Sequence, residues 1–248
     1  LQALGQGTQR VEEGLKICFP DARVLRIDAD STSRKGSLQQ ALFSIHRGEV
    51  DIIIGTQMIA KGHDFRNLTL VGVLNPDTAL FSHDYRSSER LFALLMQVAG
   101  RAGRSSLRAG ANPSEVLVQT RYPMHPLYQA TLSHRYEKYA SELLAERKNA
   151  GLPPFGYQVL LTAESRKIET ALAFLRDAAA DIPCKDGIMI NEPIPMAMMR
   201  IANMERAQML IESNSRACLQ HMLREWLPQL RSRKTGVRWQ IEVDPLSI

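Results

Sequence analysis

The sequence predicts an α/β domain built on a parallel β-sheet, followed by a smaller α+β domain. In the first half, short apolar runs alternate with amphipathic helical patterns, as in βα units whose parallel sheet is covered on both faces. Beyond Gly151 the order of the predicted elements changes to β-α-β-β-α-β, which is the order of a split βαβ sandwich. The 248 residues are enough for two domains of ordinary size.

The first half contains three helical patterns and four candidate strands. The first helix is predicted over Thr8–Cys18 with Thr8 as its N-cap, and the second over residues 37–47, ended by Gly48. The strongest helical pattern covers residues 87–100, and its apolar positions are Leu91, Leu94, Leu95 and Val98. Strands are predicted at residues 24–28, 50–54, 68–74 and 114–119.

The second half begins with a predicted helix over residues 132–150, which ends before the Gly-Leu-Pro-Pro boundary at residues 151–154. The residues predicted to face inward from this helix are Tyr136, Tyr139, Leu143 and Leu144. Strands follow at residues 157–164, 188–190, 206–212 and 237–243. Helices are predicted at residues 167–180 and 215–227, and the second is expected to end at Pro228.

Charge and cysteine content limit the possible functions. The net charge is +5 at pH 7, and the charged residues are spread over both halves, which permits a nucleic-acid groove rather than a basic arm. Cys18, Cys184 and Cys218 are far apart, so neither a zinc site nor a disulfide framework is supported, as expected in a reducing cytoplasm. No apolar run approaches the length of a membrane span, and no membrane contact is expected.

The stretch QVAGRAGR at residues 97–104 carries two arginines, Arg101 and Arg104, beside glycines. Planar guanidinium groups of permanent charge suit phosphate oxygens, and arginines presented across a cleft stabilise charge on a γ-phosphate. A helix end whose arginines complement the helix dipole explains the same pattern equally well.

The loop after the second predicted strand is the other candidate site. Gly55, Thr56 and Gln57 follow the strand directly, where backbone N–H groups and a hydroxyl suit a phosphate. Lys61 can neutralise a phosphate and Asp64 can accept a hydrogen bond from a ribose hydroxyl; a structured loop with a helix cap is the alternative. Ligands of α/β sheets collect at the carboxyl ends of strands, so this loop and the arginine pair are expected to converge at one edge.

The loop does not match a Walker A motif. Ala60 and Gly62 stand where that motif requires Gly before the lysine and Ser or Thr after it. The chain alone is therefore not expected to hydrolyse ATP.

GTQMIAKGHDF at residues 55–65 and QVAGRAGR at residues 97–104 resemble motifs V and VI of superfamily 2 helicases. Further stretches at residues 84–104, 116–127 and 242–248 extend the resemblance over the whole chain, to the replication-restart helicases of that superfamily. The resemblance implies a second RecA-like lobe at residues 1–132, a helical linker at 133–154 and a C-terminal split βαβ domain at 155–248. It also implies an ATP-dependent 3′-to-5′ DNA helicase that restarts stalled replication forks and loads the primosome.

The resemblance assigns roles to single residues. Those implied to face the nucleotide are Gly62, Asp64, Gln97, Arg101 and Arg104, with the two arginines as the catalytic pair. Those implied to line the DNA track are Gly55, Thr56, Gln57 and Lys61. ATP and Mg²⁺ are implied to bind mainly to a preceding lobe, and zinc only to a preceding cysteine-rich module, which fits a chain that starts at Leu1 rather than Met.

The implied partners are forked and single-stranded DNA, single-stranded DNA-binding protein and other primosome proteins, for a monomer in the cytoplasm and nucleoid. The densest basic cluster of the second half is a candidate DNA contact, and a solvated turn explains it equally well. Its members are Arg231, Arg233, Lys234 and Arg238. Two other hypotheses are a binding module for forked DNA and proteins without a catalytic role, and another superfamily 2 translocase, against which the β-α-β-β-α-β tail argues.

Overall fold

A computed structural model describes residues 7–28, 31–32, 36–56, 68–82, 84–105, 115–183, 186–201 and 203–247, with the side chains of residues 101–105 and 197–201 outside the description. The chain divides into two compact units. The first comprises Leu1–His83 and Ser87–Tyr136, and the second comprises Asp84–Arg86 and Glu137–Ile248. The finer boundaries at residues 132, 133–154 and 155 stay a prediction.

The first unit contains parallel strands, as predicted. β1 (Val24–Ile27) pairs with β2 (Ile52–Gly55), and β3 (Leu70–Val73) pairs with β4 (Glu115–Val118). In the described part of the chain these strands form two separate two-stranded sheets instead of one continuous sheet. Helices connect the strands of each pair, because parallel neighbours need a crossover.

The helices of the first unit are α1 (Thr8–Cys18), α2 (Ser37–His46), α3 (Asp77–Leu80), α4 (Ser87–Ser105) and α5 (Pro126–Leu132). The prediction of Thr8 as the N-cap of α1 was wrong, because Gly7 holds that position without a side-chain cap. The Thr8 hydroxyl instead donates a hydrogen bond to Asp28 Oδ2 at 2.5 Å. The Thr8 hydroxyl thus bonds to a residue 20 positions away and does not cap the helix.

The helix predicted over residues 132–150 begins later, at Tyr136, and α5, which precedes it, was not predicted. α5 ends at Leu132, and α6 (Tyr136–Asn149) begins after a turn in which His134 has a φ of 51°. This left-handed residue separates the two helices. All four residues predicted to face inward lie on α6, and the prediction is only partly correct. Tyr139 is buried and Leu143 half-buried, whereas Tyr136 is 58% exposed and Leu144 is 43% exposed.

The second unit has the predicted order with one strand added, β-α-β-β-β-α-β, and its sheet is antiparallel with the strand order β6-β8-β5-β9. The strands are β5 (Tyr157–Ser165), β6 (Met189–Ile190), β7 (Ile194–Ile201), β8 (Met204–Ser213) and β9 (Arg238–Val243). β7 was not predicted. It pairs with β8 along the same edge as β6, and Pro195 and a shift of register obscure its pattern in the sequence.

α7 (Ile168–Ala180) and α8 (Arg216–Ser232) pack with this sheet. α8 does not end at Pro228, as predicted, but continues through it to Ser232. Burial on both sides of the proline explains this, because Trp226 and Leu230 are almost completely buried. The Trp226 indole N–H also donates to the carbonyl of Ala178 in α7 at 2.9 Å.

The core of the second unit lies between the sheet and these helices. Alternate residues of the central strands are fully buried, in keeping with the two-residue period of a strand. They are Val159, Leu161 and Ala163 on β5 and Ala207, Met209 and Ile211 on β8. The fold class predicted from the sequence, an α/β lobe followed by an α+β domain, is therefore confirmed.

Candidate functional site

The helix that carries the arginine pair is longer than the sequence predicted. α4 ends at Ser105, five residues beyond the predicted end at Gly100, so the glycines beside Arg101 lie inside a helix. An interior glycine costs a helix only about 1 kcal/mol relative to alanine. The buried leucines of the preceding turns offset such a cost, since Leu91 is 3% exposed and Leu95 is 1% exposed.

The two faces of α4 differ in character. Its buried residues Leu91, Phe92, Leu95 and Val98 form one stripe, while Gln97 is exposed. At about 100° per residue, positions 97, 101 and 104 fall within roughly 60° of one another around the helix. The helix thus carries Gln97, Arg101 and Arg104 at positions on one face, opposite its buried stripe.

α4 is held by elements of its own unit. It packs against β3 and β4 of the parallel pair, and against α3 and α5. The ring of Phe92 also lies beside that of Tyr136, with 5.6 Å between the ring centroids. The position of α4 therefore depends on how these four elements are packed together.

A carboxylate that the sequence analysis missed joins three segments around α4. Asp77 Oδ1 accepts hydrogen bonds from the hydroxyls of Thr120, at 2.6 Å, and Tyr128, at 2.8 Å. Asp77 Oδ2 accepts from the backbone N–H of Arg121 at 2.8 Å. We call these four residues the Asp77 cluster. Nothing in the local pattern of the sequence reveals it, because the partners are 43 to 51 residues away from Asp77.

Hydrogen bonding and burial shift the pKa values of this cluster. Partial burial raises the pKa of Asp77, but the hydrogen bonds from Arg121, Thr120 and Tyr128 outweigh it and hold the pKa below its usual value. Burial, together with the Asp77 carboxylate, raises the pKa of the Tyr128 phenol to about 12. At neutral pH the carboxylate is therefore an acceptor and the phenol a donor.

The predicted loop after β2 begins one residue later than the sequence indicated. Gly55 is the last residue of β2, paired with Ile27 of β1, and both Gly55 and Thr56 are exposed. Gln57, Lys61, Gly62 and Asp64 lie outside the described residues. The expected convergence of this loop with the arginine pair stays a prediction.

Asp28, at the carboxyl end of β1, is a second residue that the sequence analysis missed. Besides the Thr8 hydroxyl, its carboxylate accepts the backbone N–H of Ser31 at 2.8 Å, and the Ser31 hydroxyl accepts the Asp28 N–H. These bonds hold the pKa of Asp28 at about 2. An Asp-x-x-Ser turn directly after a strand was the available signal. Asp28 lies at the same end of this strand pair as Gly55, because its neighbour Ile27 pairs with Gly55.

The basic cluster of the second unit divides into paired and exposed charges. The Arg233 guanidinium contacts the Asp181 carboxylate and donates to the carbonyl of Asp177 at 2.9 Å, which ties the end of α8 to the end of α7. Arg231, Lys234 and Arg238 are exposed. Most of the cluster is therefore accessible, whereas the charge of Arg233 is already paired.

The described residues contain neither a metal-binding cluster nor a membrane-spanning helix. No three His, Cys, Asp or Glu side chains in that part of the chain come together as a metal site. No described helix is both long enough and apolar enough to cross a membrane.

Comparison with known proteins assigns both units. A family model of the helicase conserved C-terminal domain matches residues 4–106, and one of the primosomal protein N C-terminal domain matches residues 148–246. The replication restart protein PriA of Haemophilus influenzae is 43% identical over 247 residues, which are 99% of this chain and 33% of that protein. The chain belongs to the PriA family.

PriA proteins of other organisms are also similar to this chain over nearly its whole length. That of Synechocystis sp. is 38% identical over 254 residues, covering 100% of this chain and 29% of the relative. That of Bacillus subtilis is 37% identical over 246 residues, covering 98% of this chain and 30% of the relative. The chain thus spans about a third of the length of these PriA relatives. Both helicase motifs lie within the residues that the helicase C-terminal model matches.

Proposed function

We propose that this chain supplies the arginine-bearing lobe and the C-terminal domain of an ATP-dependent DNA helicase that restarts stalled replication forks. One observation carries the proposal: α4 holds Gln97, Arg101 and Arg104 at positions on one face, opposite its buried stripe, in a chain of the PriA family. The direction of travel proposed is 3′ to 5′.

The donors of this face fit a nucleotide. An amide and two guanidinium groups can all donate to phosphate oxygens, and none of them requires deprotonation to do so. When bound, ATP with Mg²⁺ supplies the phosphoryl group whose transfer to water drives movement. Arg101 and Arg104 stabilise the negative charge that develops on the γ-phosphate, and Gln97, Gly62 and Asp64 orient the nucleotide.

The loop that starts at Gly55 is the proposed contact to single-stranded DNA. Thr56, Gln57 and Lys61 provide a hydroxyl, an amide and an ammonium group for backbone phosphates, next to exposed backbone at the end of β2. Closure of two lobes on the nucleotide and opening after hydrolysis then move this contact along the strand.

The test uses a full-length PriA-family helicase that contains this chain, with Arg101→Ala. Loss of an arginine finger lowers kcat by about 10³- to 10⁵-fold. We expect DNA-stimulated ATP hydrolysis to fall by an amount of this order. Arg224→Ala is the matched control, because Arg224 is an exposed arginine on a helix of the second unit. DNA-stimulated hydrolysis at the unmodified rate by the Arg101→Ala protein would refute the arginine assignment.

The full-length protein is proposed to hold ATP and Mg²⁺ mainly on a first lobe, and zinc on a cysteine-rich module. Its proposed partners are forked and single-stranded DNA, single-stranded DNA-binding protein and other primosome proteins, with the protein acting as a monomer in the cytoplasm and nucleoid. The chain by itself is proposed to be inactive as an ATPase, since residues 55–62 do not form a Walker A motif.

A second candidate function is a binding module for forked DNA and proteins without a catalytic role. The exposed charges of Arg231, Lys234 and Arg238 favour it, because they cluster where α8 ends and β9 begins. This function is compatible with the first and differs from it in needing no nucleotide.

A further inference from the structure

The Asp77 cluster connects distant parts of the first unit through one carboxylate. Asp77 begins α3, Thr120 and Arg121 follow β4, and Tyr128 lies on α5. Three donors occupy its two oxygens at distances of 2.6 to 2.8 Å. The Thr120 hydroxyl also accepts the backbone N–H of Tyr122 at 3.0 Å, which fixes the turn after β4.

The elements joined in this way are those that support α4. α4 packs against α3, α5, β3 and β4, and the Asp77 cluster links α3, the end of β4 and α5. Tyr128 and its neighbour Leu127 are buried, so α5 cannot shift without disturbing packed side chains. The position of α4 therefore depends on a polar cluster that contains none of its own residues.

Each of the three donors is paired with an oxygen of the Asp77 carboxylate. An ionised carboxylate only accepts hydrogen bonds, which suits two hydroxyls and one backbone N–H. An asparagine at this position presents one oxygen and one NH₂ group, so at least one of the three donors loses its acceptor. A partly buried donor left without a partner is destabilising, and the structure relaxes to satisfy it.

We propose that Asp77 is a positioning residue for the arginine pair: it fixes α3, the β4–α5 turn and α5 as the support that sets where α4 carries Arg101 and Arg104. The proposal rests on the proposed function of the arginines. Asp77 itself does not touch the nucleotide, and its effect reaches the reaction through α4.

The first experiment measures steady-state ATP hydrolysis by a full-length PriA-family helicase that contains this chain. A displacement of about 1 Å in catalytic groups can cost up to ~10²-fold in rate. We expect Asp77→Asn to lower kcat by about ten- to hundredfold, with KM for ATP within about twofold, because the arginines act on the transition state. An unchanged kcat in a folded Asp77→Asn protein would overturn the proposal.

The matched control is Asp51→Asn. Asp51 is also a carboxylate that joins two segments, since it accepts the backbone N–H and the guanidinium of Arg23 at 2.7 to 2.9 Å. It lies next to β1 and β2 and is absent from the Asp77 cluster. We expect Asp51→Asn to lower the thermal midpoint while leaving kcat within about twofold. Equal losses of kcat in both variants would mean that instability alone explains the effect.

A double-mutant comparison separates positioning from general damage. If Asp77 acts through the arginines, Asp77→Asn causes no further loss of kcat in an Arg101→Ala, Arg104→Ala background. A multiplicative loss in that background would overturn the proposal. An arginine variant of normal activity would instead refute the proposed function, whatever the result with Asp77.

Milder variants keep the proposal testable if Asp77→Asn does not fold. Tyr128→Phe and Thr120→Val each remove one donor and leave the carboxylate ionised. We expect each to lower kcat by about two- to tenfold, and Asp77→Glu to restore part of the rate lost in Asp77→Asn. Full activity in both donor variants would contradict the role of the cluster.

Discussion

Asp28 illustrates how one carboxylate organises the end of a strand. It receives the Thr8 hydroxyl from the start of α1 and the Ser31 N–H from the turn after β1, and these bonds lower its pKa to about 2 from an ordinary 3.8. These hydrogen bonds form only in the folded protein, where they stabilise the ionised carboxylate of Asp28. The stabilisation is fully present above about pH 4 and is lost as the pH falls through the folded pKa of about 2.

We predict that Thr8→Val raises the pKa of Asp28 toward 3.8, because the hydroxyl is the largest cause of its depression. NMR titration of the Asp28 carboxyl carbon measures this directly. Thr78→Val is the control, since the Thr78 hydroxyl donates to the backbone carbonyl of Asn75 and not to a carboxylate. The same Asp28 titration in the Thr8→Val protein and in the unmodified chain would contradict this account.

At the scale of the element, α4 combines a buried stripe with interior glycines. Gly100 is exposed, and a Cβ added there meets no atom within 4 Å. Its conformation is that of a helix, which alanine adopts at lower entropic cost. The glycine is therefore not required by the packing of this unit.

We predict that Gly100→Ala raises the free energy of unfolding by about 0.4–1 kcal/mol, measured by chemical denaturation of the chain. Gly151→Ala is the contrasting variant, because Gly151 has a φ of +64° and alanine is strained there. We expect it to destabilise the chain by about 1–2 kcal/mol. Destabilisation by Gly100→Ala would indicate that α4 does not continue through this position.

At the scale of the whole molecule, net charge and its accessibility determine how the chain would bind the DNA of the proposed function. The charge of +5 is modest, and part of the basic cluster is unavailable because Arg233 is paired with Asp181. Arg231 and Lys234 are exposed beside it. Binding to DNA phosphates releases counterions, so the affinity depends on salt according to the number of contacts.

We predict that the chain alone binds forked DNA with an affinity that falls as salt rises, and that it releases no phosphate from ATP. The double variant Arg231→Gln, Lys234→Gln should reduce the salt slope by about 1.8 if both residues contact phosphates of duplex DNA. Arg224→Gln, an exposed arginine elsewhere on α8, should leave the slope unchanged. Equal slopes in the double variant and the unmodified chain would exclude the cluster as a DNA contact.

The sequence by itself determined most of the elements, though not β7, and the family to which the chain belongs, because hydrophobic periods and contiguous motifs are local properties. The strands near residues 24–28 and 50–54 and four of the five strands of the second unit follow from them. Only the tertiary structure decided the partners of Thr8, Asp77 and Arg233. Each of these bonds joins residues at least 20 positions apart, and the packing of the units, not the local pattern, brings the two partners together.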